Sequence, residues 1–442
     1  MTAAASTPEA LRVKRAPLSA HYGLALLFAA NFLNFADGAL FGIVVEPVRQ
    51  DLGLNDTQIS IVSGIAFIGF NLLMGVFLSR WVDRGNRRLI LAAGITLWSA
   101  ATWATSHAHS FGSLALCRMM VGIGEATVFP VALSLLADYY AKASMPRSVS
   151  IFQASSGVGL VTGSVLSGVL AAAYGWRNMF AICGLAGVVL ILLILFTLPE
   201  PKRGQQDKGN APAEPTLGLG ATLAALLRKP GFVCLALGYG ASNMALAVLP
   251  SWGPAFLLRT HGVKLAEVGA IIGPAAGLGG LTGTILAGLL ATRLIRTSGN
   301  PLAGLRVPML ALPFAAPAFA VFLFAPSLPV LMIGVAAMNF CLSSALGPCL
   351  ALAVSSVTAG MRGLTTTLML ITQGLLGVAI APLIVGMLSD GLAPSLGAES
   401  LRYALATMIA APIAASVLLL AASRRLRRAR SETRCPPWRA ER

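Results

Sequence analysis

From Tyr22 to Val45 the chain is almost wholly apolar, and eleven further stretches of similar character follow before the C-terminus. A hydrocarbon core about 30 Å thick is crossed by about 20 helical residues. Lipid offers no partner to a backbone N–H or C=O, so each stretch has to satisfy its own, which a helix does. Periodic apolar runs of that length predict spans at 21–46, 57–80, 88–106, 112–138, 148–172, 177–198, 231–258, 266–291, 305–325, 328–352, 362–388 and 401–423. Composition agrees: charged residues are only 11% of the 442, against about 25% in an ordinary soluble domain. Too little charge is present to face water over a whole globule. The fold class expected is all-α integral membrane, with twelve transmembrane helices.

A net charge of +16 raises the question of a nucleic-acid partner. The placement of the charge argues against one. With the N-terminus on the cytoplasmic side, the even-numbered connectors and both tails hold 26 of the 32 Lys and Arg residues. Only Arg49, Arg177, Arg259, Lys264 and Arg402 fall on the other side, and Arg118 is left within the membrane. That asymmetry is the positive-inside pattern and puts both termini in the cytoplasm. The RRLRRAR run, Arg424 to Arg430, reads as an anchor against anionic lipid. No cleavable leader is read, because the first apolar run is too long for one. Five of the six cysteines lie in apolar stretches and Cys435 is in the tail, with no metal-ligand spacing; no cofactor or metal is expected.

The longest polar connector begins at Pro199 and divides the chain into six helices and six. The organisation expected is a cytoplasmic N-terminal segment (1–20), a six-helix bundle (21–198), a cytoplasmic linker (199–230), a second six-helix bundle (231–423) and a basic cytoplasmic tail (424–442). An offset of 209 residues aligns Gly53 with Gly262, Gly64 with Gly273 and Arg84 with Arg293, as two related halves would.

Against this background the ionisable residues inside the spans stand out. Asp37 lies in the middle of the first, in NFADGAL, at a cost of about 2.5–3.5 kcal/mol on an insertion scale. Arg118 and Glu125 share a face of the fourth, about 10 Å apart along its axis, so each needs a partner elsewhere. Such groups lie in a bundle interior or a water-filled cavity and mark ion or substrate paths. A buried carboxylate beside an arginine is suited to take a proton on one side and release it on the other. Asp37 and then Glu125 are the proton-coupling candidates. Arg118 is the substrate anchor or counter-ion, with Asn34, Asn243, Asn339 and Gln373 as polar residues that could meet a solute. The second half carries no such acid, and a cavity polar on one side and apolar on the other suits an amphipathic solute.

Two motifs carry a family resemblance. SRWVDRGNRR (Ser79 to Arg88) and RMMVGIGEATVFP (Arg118 to Pro130), with Asp37 and the twelve-helix layout, resemble the major facilitator superfamily. The DRGNRR form, the GEA and SLLAD of VGIGEATVFPVALSLLADYY, and LGLNDTQIS, LWSAAT and GWRNMF are similar to its Spinster-like branch, most densely over residues 30–200. The resemblance implies two six-helix bundles and alternating access, with Asp83, Arg84, Arg87, Arg88, Asp138 and Arg147 as a cytoplasmic charge cluster holding the outward-open state. It also suggests a lysolipid cargo. Spinster-like chains follow the first-helix aspartate with arginine, whereas Gly38 stands here. The glycine-proline pair of drug/proton antiporters is absent, since Ser164 follows Gly163.

The function expected is proton-coupled secondary transport of an organic anion or amphipathic solute by a monomer in a bacterial inner membrane. A facilitative uniporter or a drug-type proton antiporter is the alternative. An enzyme is not expected: His21, His107, His109 and His261 are scattered and no HExxH, GxSxG or phosphate loop occurs.

Overall fold

The structure, a computed structural model, describes residues 18–140, 144–201, 219–358 and 361–434. Among them, nine helical segments are long and apolar enough to cross a membrane. Two are doubled: Arg147–Thr197 turns at Gly175 (φ 79°) and Arg362–Arg428 at Gly397 (φ 54°). Arg87–Thr105 is one more helix, of 19 residues. Among the described residues this is consistent with twelve crossing helices, in chain order: α1 (Leu18–Leu52), α2 (Asp56–Ser60, continued through a π turn into Phe67–Arg84), α3 (Arg87–Thr105) and α4 (Phe111–Glu125, resumed as Val128–Tyr139). α5 and α6 are the two limbs of Met145–Thr197. The second half has α7 (Phe232–His261), α8 (Leu265–Ser298), α9 (Arg306–Phe324) and α10 (Leu328–Ser343, resumed as Leu346–Ser355). It ends with α11 (Arg362–Gln373, a π turn, then Ala381–Leu396) and α12 (Ser400–Ala406, continued into Ala410–Arg434).

Local chemistry starts and stops these helices where expected. Asn55 and Gln58 form a reciprocal cap on α2, and Asn86, within the DRGNRR motif, accepts from Leu89 N at the start of α3. Several helices run beyond the apolar spans: α1 continues past Glu46 to Leu52, and α8 reaches Ser298. Polar residues end the hydrophobic stretch without ending the backbone ladder. The connector read as a plain linker contains a short helix, Leu219–Arg228. The 209-residue offset has a conformational basis: α1 and α7 both end on a left-handed glycine, Gly53 at φ 61° and Gly262 at φ 60°.

Among the described residues the halves are joined most tightly toward one end. Call the end bearing Arg84, Arg87, Arg293 and Arg296 the basic end, and the other the far end. Near the far end α1 lies so close to α7 that a Cβ on Gly42 would collide with the Pro250 carbonyl. Gly269 of α8 is seated equally tightly on the Ser164 carbonyl of α5. At Gly64 and Gly386, α2 and α11 repeat the arrangement. One apolar core there takes in Phe41 and Val44 of the first half and Leu249, Trp252 and Val385 of the second. Toward the basic end the first half keeps a core of its own, including Leu27, Leu91, Ile95, Leu135 and Ile194, which among the described residues nothing from the second half joins.

Charge locks the far end. Arg259 of α7 donates to both Asp56 carboxylate oxygens at 2.7 Å and to Glu46 at 2.6 Å, both acids belonging to the first half. Asp390 of α11 accepts from the backbone N–H groups of Asp56 (2.9 Å) and Thr57 (2.8 Å), so one half caps the first turn of a helix in the other. Ser389 donates to Asp56 and Ser60 to the Pro382 carbonyl, each at 2.7 Å. Glu46 and Asp56 are almost fully buried. Arg259→Gln leaves them, among the described residues, Arg49 as the cation within reach, 2.8 Å from Glu46 and 3.6 Å from Asp56, beside the neutral donors Gln50 and Ser389. Breaking a buried pair costs about 3–5 kcal/mol. A cysteine placed at Val378, beside Gly64, is therefore expected to react more than about tenfold faster with a water-soluble maleimide in Arg259→Gln than in wild type. An unchanged rate means that these pairs do not hold the far end shut.

Candidate functional site

Asp37 is 8% exposed and sits halfway along α1. Successive helical residues turn by about 100°, so Asp37 is about 140° round from Gly42, the residue that faces the second half. Its carboxylate therefore points into the first bundle. There Thr102 of α3 donates to Oδ1 at 2.9 Å, and the Asp37 carboxyl also hydrogen-bonds that of Glu125 on α4. Gly38, next in the chain, is exposed, and a side chain there would meet nothing within 4 Å.

Glu125 lies where α4 breaks. Pro130 has no N–H to offer the carbonyl four residues back, and the helix resumes at Val128 after a turn. Glu125 is buried. α10 has the same break after Ser343, with Pro348 in the corresponding place. Serine stands there where α4 has the acid.

Arg118 is buried between two rings, with its guanidinium carbon 5.0 Å from the Phe41 centroid and 4.8 Å from that of Phe67. It acts on the charges of Asp37 and Glu125, yet among the described residues none of the ion pairs reaches it, and its Nε is unpartnered. The structure thus brings Asp37, Arg118 and Glu125 together from α1 and α4, with α2 and α3 supplying Phe67 and Thr102. One cation faces two carboxylates.

The remaining sequence candidates lie elsewhere. Asn34 is half-buried on α1. Asn243 and Gln373 are bonded to each other (3.0 Å) and to Tyr239, whose hydroxyl donates to Gln373 Oε1 at 2.8 Å, a knot between α7 and α11. Asn339 is apart on α10, donating to the Val335 carbonyl at 3.0 Å. At the basic end Arg87 is fully buried and donates to Asp138, to Glu200 at 2.7 Å and to the Pro201 carbonyl at 2.8 Å. The Arg88 backbone N–H also donates to Glu200. Arg84 and Arg147 are exposed, and the side chain of Asp83 lies outside what the structure describes.

Sequence reasoning missed Glu200, Phe41, Phe67 and Thr102, and the whole far-end lock of Glu46, Asp56, Arg259 and Asp390. The lock had one available signal: a few charges on the side where Lys and Arg are otherwise scarce.

Comparison with known proteins fits this geometry. The family profile described as Major Facilitator Superfamily matches residues 27–382. The chain is 31% identical over 417 residues to an MFS-type efflux pump of Mycolicibacterium smegmatis (strain ATCC 700084 / mc(2)155), covering 94% of this chain and 95% of that one. It is 30% identical over 250 residues to the sphingosine-1-phosphate transporter SPNS2 of Mus musculus, a match covering 55% of this chain and 45% of the mouse protein. In structure it is similar to a bacterial homologue of the human lysosomal transporter Spinster, in an inward-facing and unoccupied conformation. The TM-score is 0.84 at 26% identity, over 92% of this chain and 97% of that one. The chain is an integral membrane transporter of the Major Facilitator Superfamily and belongs to its Spinster-like branch.

Proposed function

We propose that this protein is a proton-coupled secondary transporter of an organic anion or an amphipathic solute such as a lysolipid, working by alternating access as a monomer in a bacterial inner membrane. The observation that carries the reading is the inequality at the site: Asp37 and Glu125 are hydrogen-bonded to each other and share one cation there, Arg118. Two carboxylates cannot both stay ionised there without cost, so the site has room for a proton. Positive-inside charge makes the basic end cytoplasmic. The far-end closure then corresponds to an inward-facing state.

Coupling follows from what Arg118 touches. Protonation of either acid removes one of the two attractions on its guanidinium. Phe41 and Phe67 clamp that group, and they belong to α1 and α2, the same helices that carry Glu46 and Asp56 into the far-end lock. Proton binding is thereby linked to the closure across the halves. The lysolipid reading draws on the SPNS2 likeness. A drug-type proton antiporter is the second reading, favoured by the relative described as an efflux pump.

Proteoliposomes enclosing a pH dye, given organic anions, amphipathic cations and lysolipids one at a time, test this directly. One compound should move protons in wild type, and Asp37→Asn should lower that flux by at least about tenfold. The sign of the pH change separates symport from antiport. Solute uptake without proton movement, equal in wild type and Asp37→Asn, makes the aspartate structural and the protein a uniporter or one coupled to another ion. Arg118→Lys keeps the charge and loses the planar stack on Phe41 and Phe67. It should slow solute transport by about tenfold while the melting temperature of the purified protein shifts by only a few degrees. Transport at the wild-type rate in this variant counts against the clamp.

A further inference from the structure

Two carboxyl groups are in hydrogen-bonding contact inside the first half, Asp37 from α1 and Glu125 from α4. An ionised carboxylate only accepts, so two of them have no hydrogen to share. A hydrogen bond between them therefore requires a proton on the pair. Charge balance gives the same count. Asp37 and Glu125 are 8% and 7% exposed, and Arg118, which acts on both, is 4% exposed. With one proton the pair carries a single negative charge, which the guanidinium offsets. With none the buried cluster has one negative charge in excess, and with two it has one positive. Burial favours the neutral count.

The surroundings of the two acids are unequal, and this decides where the proton sits. Thr102 of α3 donates to Asp37 Oδ1 at 2.9 Å and is 1% exposed, so water does not compete for that bond. The other two threonines of α3 turn their hydroxyls to carbonyls of their own helix, Thr96 to Ala92 at 2.8 Å and Thr105 to Ala101 at 2.9 Å. Thr102 gives its hydrogen to a side chain instead. Glu125 has no matching hydroxyl among the described residues. Thr127, two positions on, donates back to the Gly124 carbonyl at 2.8 Å. A donor favours the ionised form of the carboxyl it meets, so the acid without one keeps the proton.

We propose that Thr102 is a positioning residue that assigns the shared proton to Glu125 and leaves Asp37 as its ionised acceptor. Asp37 then takes one hydrogen from Thr102 and one from Glu125, and the exchangeable proton lies at the break in α4 rather than on α1. The inference deepens the coupling reading and rests on it for the purpose of the pair.

Infrared spectra of the protein in nanodiscs test this. The chain is made by cell-free synthesis with either glutamate or aspartate isotopically labelled at the side-chain carboxyl carbon, and the band to follow is the protonated-carboxyl band that disappears in Glu125→Gln. In wild type that band should shift with labelled glutamate and stay with labelled aspartate. Thr102→Val keeps the shape and removes the donor; it should raise the aspartate share of the band by about tenfold, the effect of one hydrogen bond to a charged group. Thr102→Ser, which keeps the hydroxyl, should restore the wild-type pattern. The proposal is overturned if the wild-type band shifts with labelled aspartate, if no protonated band from the pair exists near neutral pH, or if Thr102→Val gives the wild-type spectrum. No solute or proton gradient enters these spectra, so the place of the proton can fail while proton coupling stands, and the reverse.

Discussion

Arg259 reaches from the second half into two acids of the first, and the state of the whole molecule depends on that contact. Glu46 and Asp56 are too deeply buried to be left charged and unpaired. While the arginine holds them, the far ends of α1, α2, α7 and α11 form one body with a continuous apolar core. Asp390 strengthens the junction by capping α2 from across it. Toward the basic end the described residues show no equivalent joint core, and the halves pack there as separate bodies.

The Asp37–Arg118–Glu125 cluster and the lock share the same helices. Asp37 and Glu46 are nine residues apart on α1, about 13 Å along its axis. Phe67 and Asp56 sit on α2, and Arg118 is wedged against α1 and α2 together. A change in charge at midmembrane thus bears on the rods that carry the lock. The basic end has its own fastening, with Arg87 tying the α2–α3 turn to Asp138 of α4 and to Glu200 at the start of the connector. All of these partners belong to the first half or the connector that leaves it.

The two halves share a frame and differ in charge. Gly53 and Gly262 end equivalent helices in the same left-handed turn, and α4 and α10 break at corresponding places ahead of Pro130 and Pro348. Yet the position of Glu125 is serine in α10, and the polar residues of α7 and α11 bond to one another. Asp37, Arg118 and Glu125 all lie in one half, while the other supplies Arg259, Asp390 and the apolar wall against which that half closes.

By itself the sequence determined that the chain crosses a membrane many times as helices and that Asp37, Arg118 and Glu125 are the costly residues. These properties are local: lipid penalises each unsatisfied backbone group and each charge wherever it lies along the chain. The branch resemblance was legible for the same reason, being carried by contiguous motifs. Which groups meet was decided only by the tertiary structure. Asp37 bonds Thr102, 65 positions away, and Arg259 pairs with Asp56 across 203. Periodicity along one helix cannot report the rotation of another. The same blindness hid the rings that hold Arg118, because Phe41 and Phe67 come from α1 and α2 while the arginine stands on α4, and no single helix encodes their meeting.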